Sequence, residues 1–167
     1  ATRSDVESLG RAADLYRGDL LEGLTAREAG PDDWLAPQRL RLRNLAVGTL
    51  AKLLEGRMAD GMSADAAATA RRLLALDPAQ EVAHRALMRL LAQAGDRLAA
   101  LRQYQRCRAI LAEELGVTPE EATEQLYHEL VRRSPGQHDV QSAPARRRLT
   151  VAYIDLVGST ALATRLD

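Results

Sequence analysis

Phenylalanine is absent from these 167 residues, and one tryptophan and four tyrosines supply every aromatic ring. Rings on which nucleic-acid bases could stack are therefore scarce. A single cysteine, Cys107, excludes a disulfide framework and a thiolate zinc site, and it suits a reducing compartment. Net charge is also missing, with 23 Lys and Arg against 23 Asp and Glu. The whole-chain field that would draw in DNA or an anionic membrane is thus absent. No apolar run approaches the roughly 20 residues of a membrane helix, and no signal peptide is read at the start. A cytoplasmic protein is expected, without direct nucleic-acid binding or membrane insertion. The length suits one well-buried domain with a small appendage.

Alanine and leucine dominate the apolar fraction, and Lys52 is the sole lysine among the cations. Ala, Leu, Arg and Glu favour helices, so residues 1–133 are expected to be α-helical. Beyond Arg133 the periodicity stops. Residues 134–148 run from Ser134-Pro135-Gly136 to Arg146-Arg147-Arg148 and read as a linker. Leu149-Thr150-Val151-Ala152-Tyr153-Ile154-Asp155 reads as a strand, and the residues after it as a turn and a helix start.

Six helices are predicted. The first covers about Val6–Tyr16, and the second begins near Pro31 and runs to about Glu55 with Leu42, Leu45, Ala46, Thr49, Leu50 and Leu53 on its buried face. A third spans about Ala64–Leu76. The fourth opens at Asp77-Pro78-Ala79-Gln80 as N-cap and first turn, and buries Ala83, Ala86, Leu87, Leu90, Leu91 and Ala94. The fifth runs from about Asp96 to a stop at Gly116. The sixth opens with the capping box Thr118-Pro119-Glu120-Glu121 and buries Leu126, Tyr127, Leu130 and Val131.

An internal repeat organises this helical part. An offset of 34 residues pairs Leu53 with Leu87, Leu54 with Met88, Gly61 with Gly95, Ala66 with Ala100, Ala70 with Tyr104 and Leu73 with Cys107. Each unit is a helix ending at glycine and a second helix opening with a small alanine. That is the logic of a tetratricopeptide (TPR) helix pair, whose stacking builds a curved surface for other protein segments.

Chemistry-bearing residues are few. His84, His128 and His138 share no metal-ligand spacing with Cys107, and no nucleophile, base and orienting acid can be assembled within residues 1–133. Cys107 is read as a small core residue, and His84 as half-buried. Arg39, Arg41, Arg43, Arg71 and Arg72 are read as a solvated face balanced by nearby carboxylates. Trp34 and Tyr16 are expected to clamp the glycine-punctuated segment between them onto the first helices.

Several ordered segments carry a family resemblance. Leu15-Tyr16-Arg17-Gly18-Asp19-Leu20-Leu21-Glu22-Gly23-Leu24, Trp34-Leu35, Arg39-Leu40-Arg41 and Ala70 to Pro78 come first, followed by Ala83 to Leu90, Ala100 to Tyr104 and Leu111 to Pro119. Together they resemble the bacterial transcriptional activator domain (BTAD) of antibiotic-regulatory transcription factors over about residues 5–132. The resemblance implies a TPR-like array acting in self-association and in contacts that regulate transcription. In that family a winged-helix DNA-binding domain precedes the array, and it has no counterpart in these residues.

A second resemblance lies in Arg147 to Thr160, which looks like the opening of a class III adenylate/guanylate cyclase domain. By that pattern Asp155 would be a first metal ligand, the Ile154 and Leu156 region would line the metal site, and Gly158-Ser159-Thr160 would face phosphate. A complete domain of that kind would use Mg or Mn with ATP or GTP; this chain is expected to need no cofactor and to have no enzymatic activity, since the remaining catalytic residues of the pattern would lie past Asp167. A Gly-Lys-Ser/Thr phosphate loop is absent, and Val157 stands where a haloacid-dehalogenase pattern has a second Asp. The expected fold is therefore all-α, a TPR-like array over 1–133, then a linker over 134–148 and the start of a cyclase domain over 149–167. The favoured function is a regulatory protein-interaction or oligomerisation module. The alternatives are a parent that is primarily a cyclase, and a DNA-binding activator whose winged helix lies elsewhere.

Overall fold

Two glycines set the length of the repeating unit. Gly61 and Gly95 hold φ at 71° and 84°, the left-handed region that other residues enter only at a cost. Nothing lies within 4 Å of a Cβ built on either, so backbone conformation and not crowding requires glycine there. Around each the chain closes the same way: the Met62 amide donates to the Arg57 carbonyl, and 34 residues on the Asp96 amide donates to Leu91, both at 2.9 Å. These are matching Schellman-type C-caps.

The computed structural model describes residues 3–22 and 34–132. They form α1 (Arg3–Leu15), α2 (Leu35–Ala59), α3 (Ser63–Leu76), α4 (Glu81–Gln93), α5 (Arg97–Ile110) and α6 (Glu121–Arg132). A π-helical turn, Leu111–Leu115, lengthens α5 until Gly116 stops it with φ 67°. No strand occurs among the described residues. The strand, turn and helix start expected from residue 149 onward lie outside them.

The 34-residue register holds at every paired position. Leu53, Leu54, Leu87 and Met88 are all buried, as are Ala66 and Ala100, Ala70 and Tyr104, and Leu73 and Cys107. Helix α2 packs on α3 and α4 on α5, while the two pairs meet through α3 against α4 and α2 against α4. Helix α6 continues the series by packing on α4 and α5. Helix α1 belongs to the same pattern: Val6, Gly10 and Ala13 have the spacing of Ala66, Ala70 and Leu73, and α1 packs on α2 as α3 packs on α4. It therefore stands as the second helix of a preceding unit, a relation its sequence hides because Val6 and Gly10 match neither partner.

One core cluster joins α1 to α4 through Val6, Ala13, Leu50, Leu54, Leu73, Ala83 and Leu87. Another joins α4 to α6 through Met88, Ala100, Tyr104, Leu126 and Leu130. Helix α4 serves both, as the middle helix of a stack must.

Several local expectations are corrected. Helix α4 starts at Glu81, not at Asp77. Asp77 is extended, as a residue before proline prefers, and its carboxylate is used by the turn, accepting from the Ala79 amide at 3.1 Å and Gln80 Nε2 at 2.6 Å. Helix α6 starts at Glu121, without the Thr118 capping box. Its cap comes from α4 instead, where the Glu81 carboxylate accepts from the Glu120 amide at 3.0 Å. Helix α2 continues to Ala59. Leu42 and Leu45 are exposed rather than buried, and so are Ala94 and Val131.

Candidate functional site

Reactive side chains are used up in packing. Cys107 is fully buried, and burial pushes its thiol up to about 12, so it is an inert core group as expected. His84 is wholly buried rather than half-buried: Nε2 lies 2.9 Å from the Pro78 carbonyl and Nδ1 lies 2.7 Å from Gln103 Nε2. The neutral ring satisfies both contacts, with Nε2–H donating and Nδ1 accepting. Burial lowers the His84 pKa below its ordinary value. Among the described residues no three His, Cys, Asp or Glu side chains could together hold a metal ion. Ile154, Asp155, Gly158, Ser159 and Thr160 lie outside the described residues.

A polar seam joins α4 to α6. Arg85 donates to Glu120 at 2.8 Å and to Thr123 Oγ1 at 2.9 Å, and the Thr123 hydroxyl donates to Glu81. Beside it the Tyr104 hydroxyl donates to Glu124 at 2.6 Å, while its ring stacks on Tyr127 with centroids 4.0 Å apart. Burial and that bond push the Tyr104 hydroxyl up to about 12. Every member has a partner, so the seam positions the last helix; it contains no group free to act on a substrate.

Arginines hold helix ends. Arg72 donates to the Ala13 and Tyr16 carbonyls at the end of α1, Arg43 to the Leu76 carbonyl ending α3, and Arg97 to Leu130 and Val131 ending α6. Arg39 donates to the Leu20 and Leu21 carbonyls at 2.8 Å, securing a turn in which Leu21 has φ 53°. Carbonyls left open at a helix C-terminus attract a planar cationic fork. The solvated-face expectation for Arg39, Arg43 and Arg72 is therefore corrected. Arg41, between two of them, is exposed.

What remains open to a partner is surface. A cleft of about 790 Å³ lies between α1 and the α2–α3 connection, with Val6, Glu7, Gly10, Arg57 and Met62 in its wall. Arg57 there donates to Thr69, while its buried Nε has no partner. A groove of about 410 Å³ between α3, α4 and α5 is walled by Ala64, Ala67, Leu87, Leu90 and Leu91. Trp34, just before α2, and Leu40 and Leu45 on it stand exposed. Much of the segment that Trp34 was expected to clamp, residues 23–33, lies outside the described residues; Tyr16 is half-buried and donates to Asp19 at 2.8 Å. The α2 surface is hidden in the sequence because leucines at three- and four-residue spacing have the same pattern whether they face a core or solvent.

The described residues thus form a stacked helix-pair array that presents interhelical surface and no assembled reactive centre. Residues 1–131 match the bacterial transcriptional activator domain, and the chain belongs to that family. It is also similar to the "Regulatory protein AfsR" of Streptomyces coelicolor, with 30% identity over 137 residues. That match covers 82% of this chain and 13% of the relative, so the chain spans a small part of that protein's length. The family match does not reach residues 149–167. The BTAD resemblance is therefore established as membership of a domain family of transcriptional-activator type. Among the described residues no helix is long and apolar enough to cross a membrane.

Proposed function

We propose that this chain is a cytoplasmic regulatory interaction module, without enzymatic activity of its own, that acts by binding a second copy or another regulator. Supporting this reading is a repeat-built array whose α4–α6 polar seam is internally paired and whose open features are two interhelical clefts and one exposed helix face. The test is a fusion of the chain to an unrelated DNA-binding domain, assayed on a reporter in a Streptomyces host. A several-fold change in reporter output over the DNA-binding domain alone is expected, and no change with the fusion stably expressed overturns the reading. Fluorescence anisotropy with duplex DNA serves as a second arm. Tight binding by the unfused chain would replace interaction by direct DNA recognition.

A second part of the reading concerns residues 149–167. The Leu149–Thr160 run supports the start of a nucleotide cyclase domain, for which the array would control pairing of subunits. In that case Asp155 would hold a divalent metal, with Ile154 beside it and Gly158, Ser159 and Thr160 facing the triphosphate of ATP or GTP. The gene beyond Asp167 decides this: a continuation carrying the second metal-binding Asp is expected, and any other continuation overturns it.

A further inference from the structure

Helix α2 is apolar on two opposite sides. Leu35, Ala46, Leu50, Leu53 and Leu54 are buried, whereas Leu40 is 60% exposed, Leu45 59%, and Trp34 just before the helix 57%. Pro37, Leu40, Arg41, Asn44 and Leu45, at spacings that share one helix face, line a shallow depression of about 470 Å³. One turn further, Gly48 has open space where a Cβ would stand, which continues the track. The track from Trp34 to Gly48 is roughly 20 Å long at about 1.5 Å per residue, the span of a four-turn helix.

The first twenty residues of this helix carry charge of one sign. Residues 34–54 contain no Asp or Glu; Arg39 and Arg43 are engaged by the Leu20, Leu21 and Leu76 carbonyls, and Arg41 and Lys52 are exposed cations of this stretch. Arg41 sits within the depression. The stack supplies the geometry: α4 packs on α2 and α6 on α4, while none of α1, α3 or α4 covers the Leu40–Leu45 side. An exposed apolar face with Arg41 set in it, on an array that satisfies such faces with helices, fits a helix better than a broad lipid surface.

We propose that this face docks an acidic amphipathic helix of a partner protein, whose apolar stripe sits on Trp34, Leu40 and Leu45 and whose carboxylates face Arg41. The proposal rests on the interaction-module reading and names the chemistry of its partner. Trp34 is the sole tryptophan and reports occupancy directly. The experiment titrates the full chain with a tryptophan-free helical peptide carrying leucines on one face and glutamates on the other, following Trp34 emission. A saturable blue shift is expected, weakened on the order of tenfold or more by L40E/L45E, by R41E and by raised salt.

No shift, or an equal shift with a lysine-for-glutamate peptide, overturns the proposal. So does a larger shift with anionic phospholipid vesicles, which assigns the face to membrane, or a shift that develops with chain concentration alone, which assigns it to a second copy. Because the mutated side chains are exposed, L40E/L45E should melt within a few degrees of the parent. A large drop would mean that the chain covers the face itself, and the proposal fails. A positive reporter fusion with a negative titration moves docking to another surface; two negatives remove the interaction reading as well.

Discussion

The α2–α3 pair and the α4–α5 pair share one backbone design and fill it with different chemistry. At equivalent positions the first pair places Ala70 and Leu73, and the second Tyr104 and Cys107, all buried. Thr69 turns back on its own helix by donating to the Asp65 carbonyl, whereas its counterpart Gln103 reaches across to His84. The first pair is thus held mainly by aliphatic packing against α1, and the second by an aromatic and polar seam against α6. A repeat specifies where side chains meet. What they do there depends on the neighbour each unit receives.

The comparison can be broken most severely in the aliphatic pair. Leu73→Ala should cost about 2–5 kcal/mol, because a fully buried leucine leaves a cavity that rigid helices cannot close. Cys107→Ala at the matching position removes a single sulfur and should cost clearly less. Urea denaturation of both variants checks the ranking, and equal losses would show that the two units are not separate in their packing.

Next in size is the seam. Glu81→Ala leaves the Glu120 amide and the Thr123 hydroxyl without their shared acceptor and removes the Arg85 ion-pair partner at 3.8 Å, and a loss of about 2–3 kcal/mol is expected. Hydrogen exchange should localise the loosening to α6, while the α2–α3 pair stays protected. A uniform loss across both pairs would sink the division drawn above.

Titration sharpens the same contrast, since the buried titrating groups of the second pair have no counterparts in the first. His84 has a lowered folded pKa, so the unfolded chain takes up the proton first. Its contribution is complete above the ordinary value of 6.5 and is lost as pH falls below it. Cys107 behaves oppositely, with a contribution present below its ordinary 9.0 and lost as pH rises toward about 12. Melting temperature should therefore fall on both sides of a neutral plateau, and His84→Gln should flatten the acidic side. The smallest effect belongs to the exposed Arg72–Asp14 pair at 2.9 Å, where Asp14→Asn should change stability by less than about 0.5 kcal/mol.

Much of this fold was legible because it is written in local signals. Gly61, Gly95 and Gly116 end helices through backbone conformation alone, and a period of 34 residues exposes the buried positions of both units without reference to the rest of the chain. Errors arose where a residue has two possible uses. Asp77 could cap the helix after it or close the turn before that helix, and proline's effect on its backbone decided for the turn. Leu42 and Leu45 have core spacing, but spacing cannot tell which of two apolar faces finds a neighbour.

The amino-acid sequence by itself determined the helices, their stops, the pairing register and the family, because helix propensity, glycine conformation and apolar period act over a few residues. Only the tertiary structure decided that Arg39, Arg43, Arg72 and Arg97 hold distant carbonyls, and that Glu81 caps a helix some forty positions away. It alone left one side of α2 uncovered by the other described helices. Those outcomes depend on which helix ends and faces are brought together in space, and no local preference encodes that meeting.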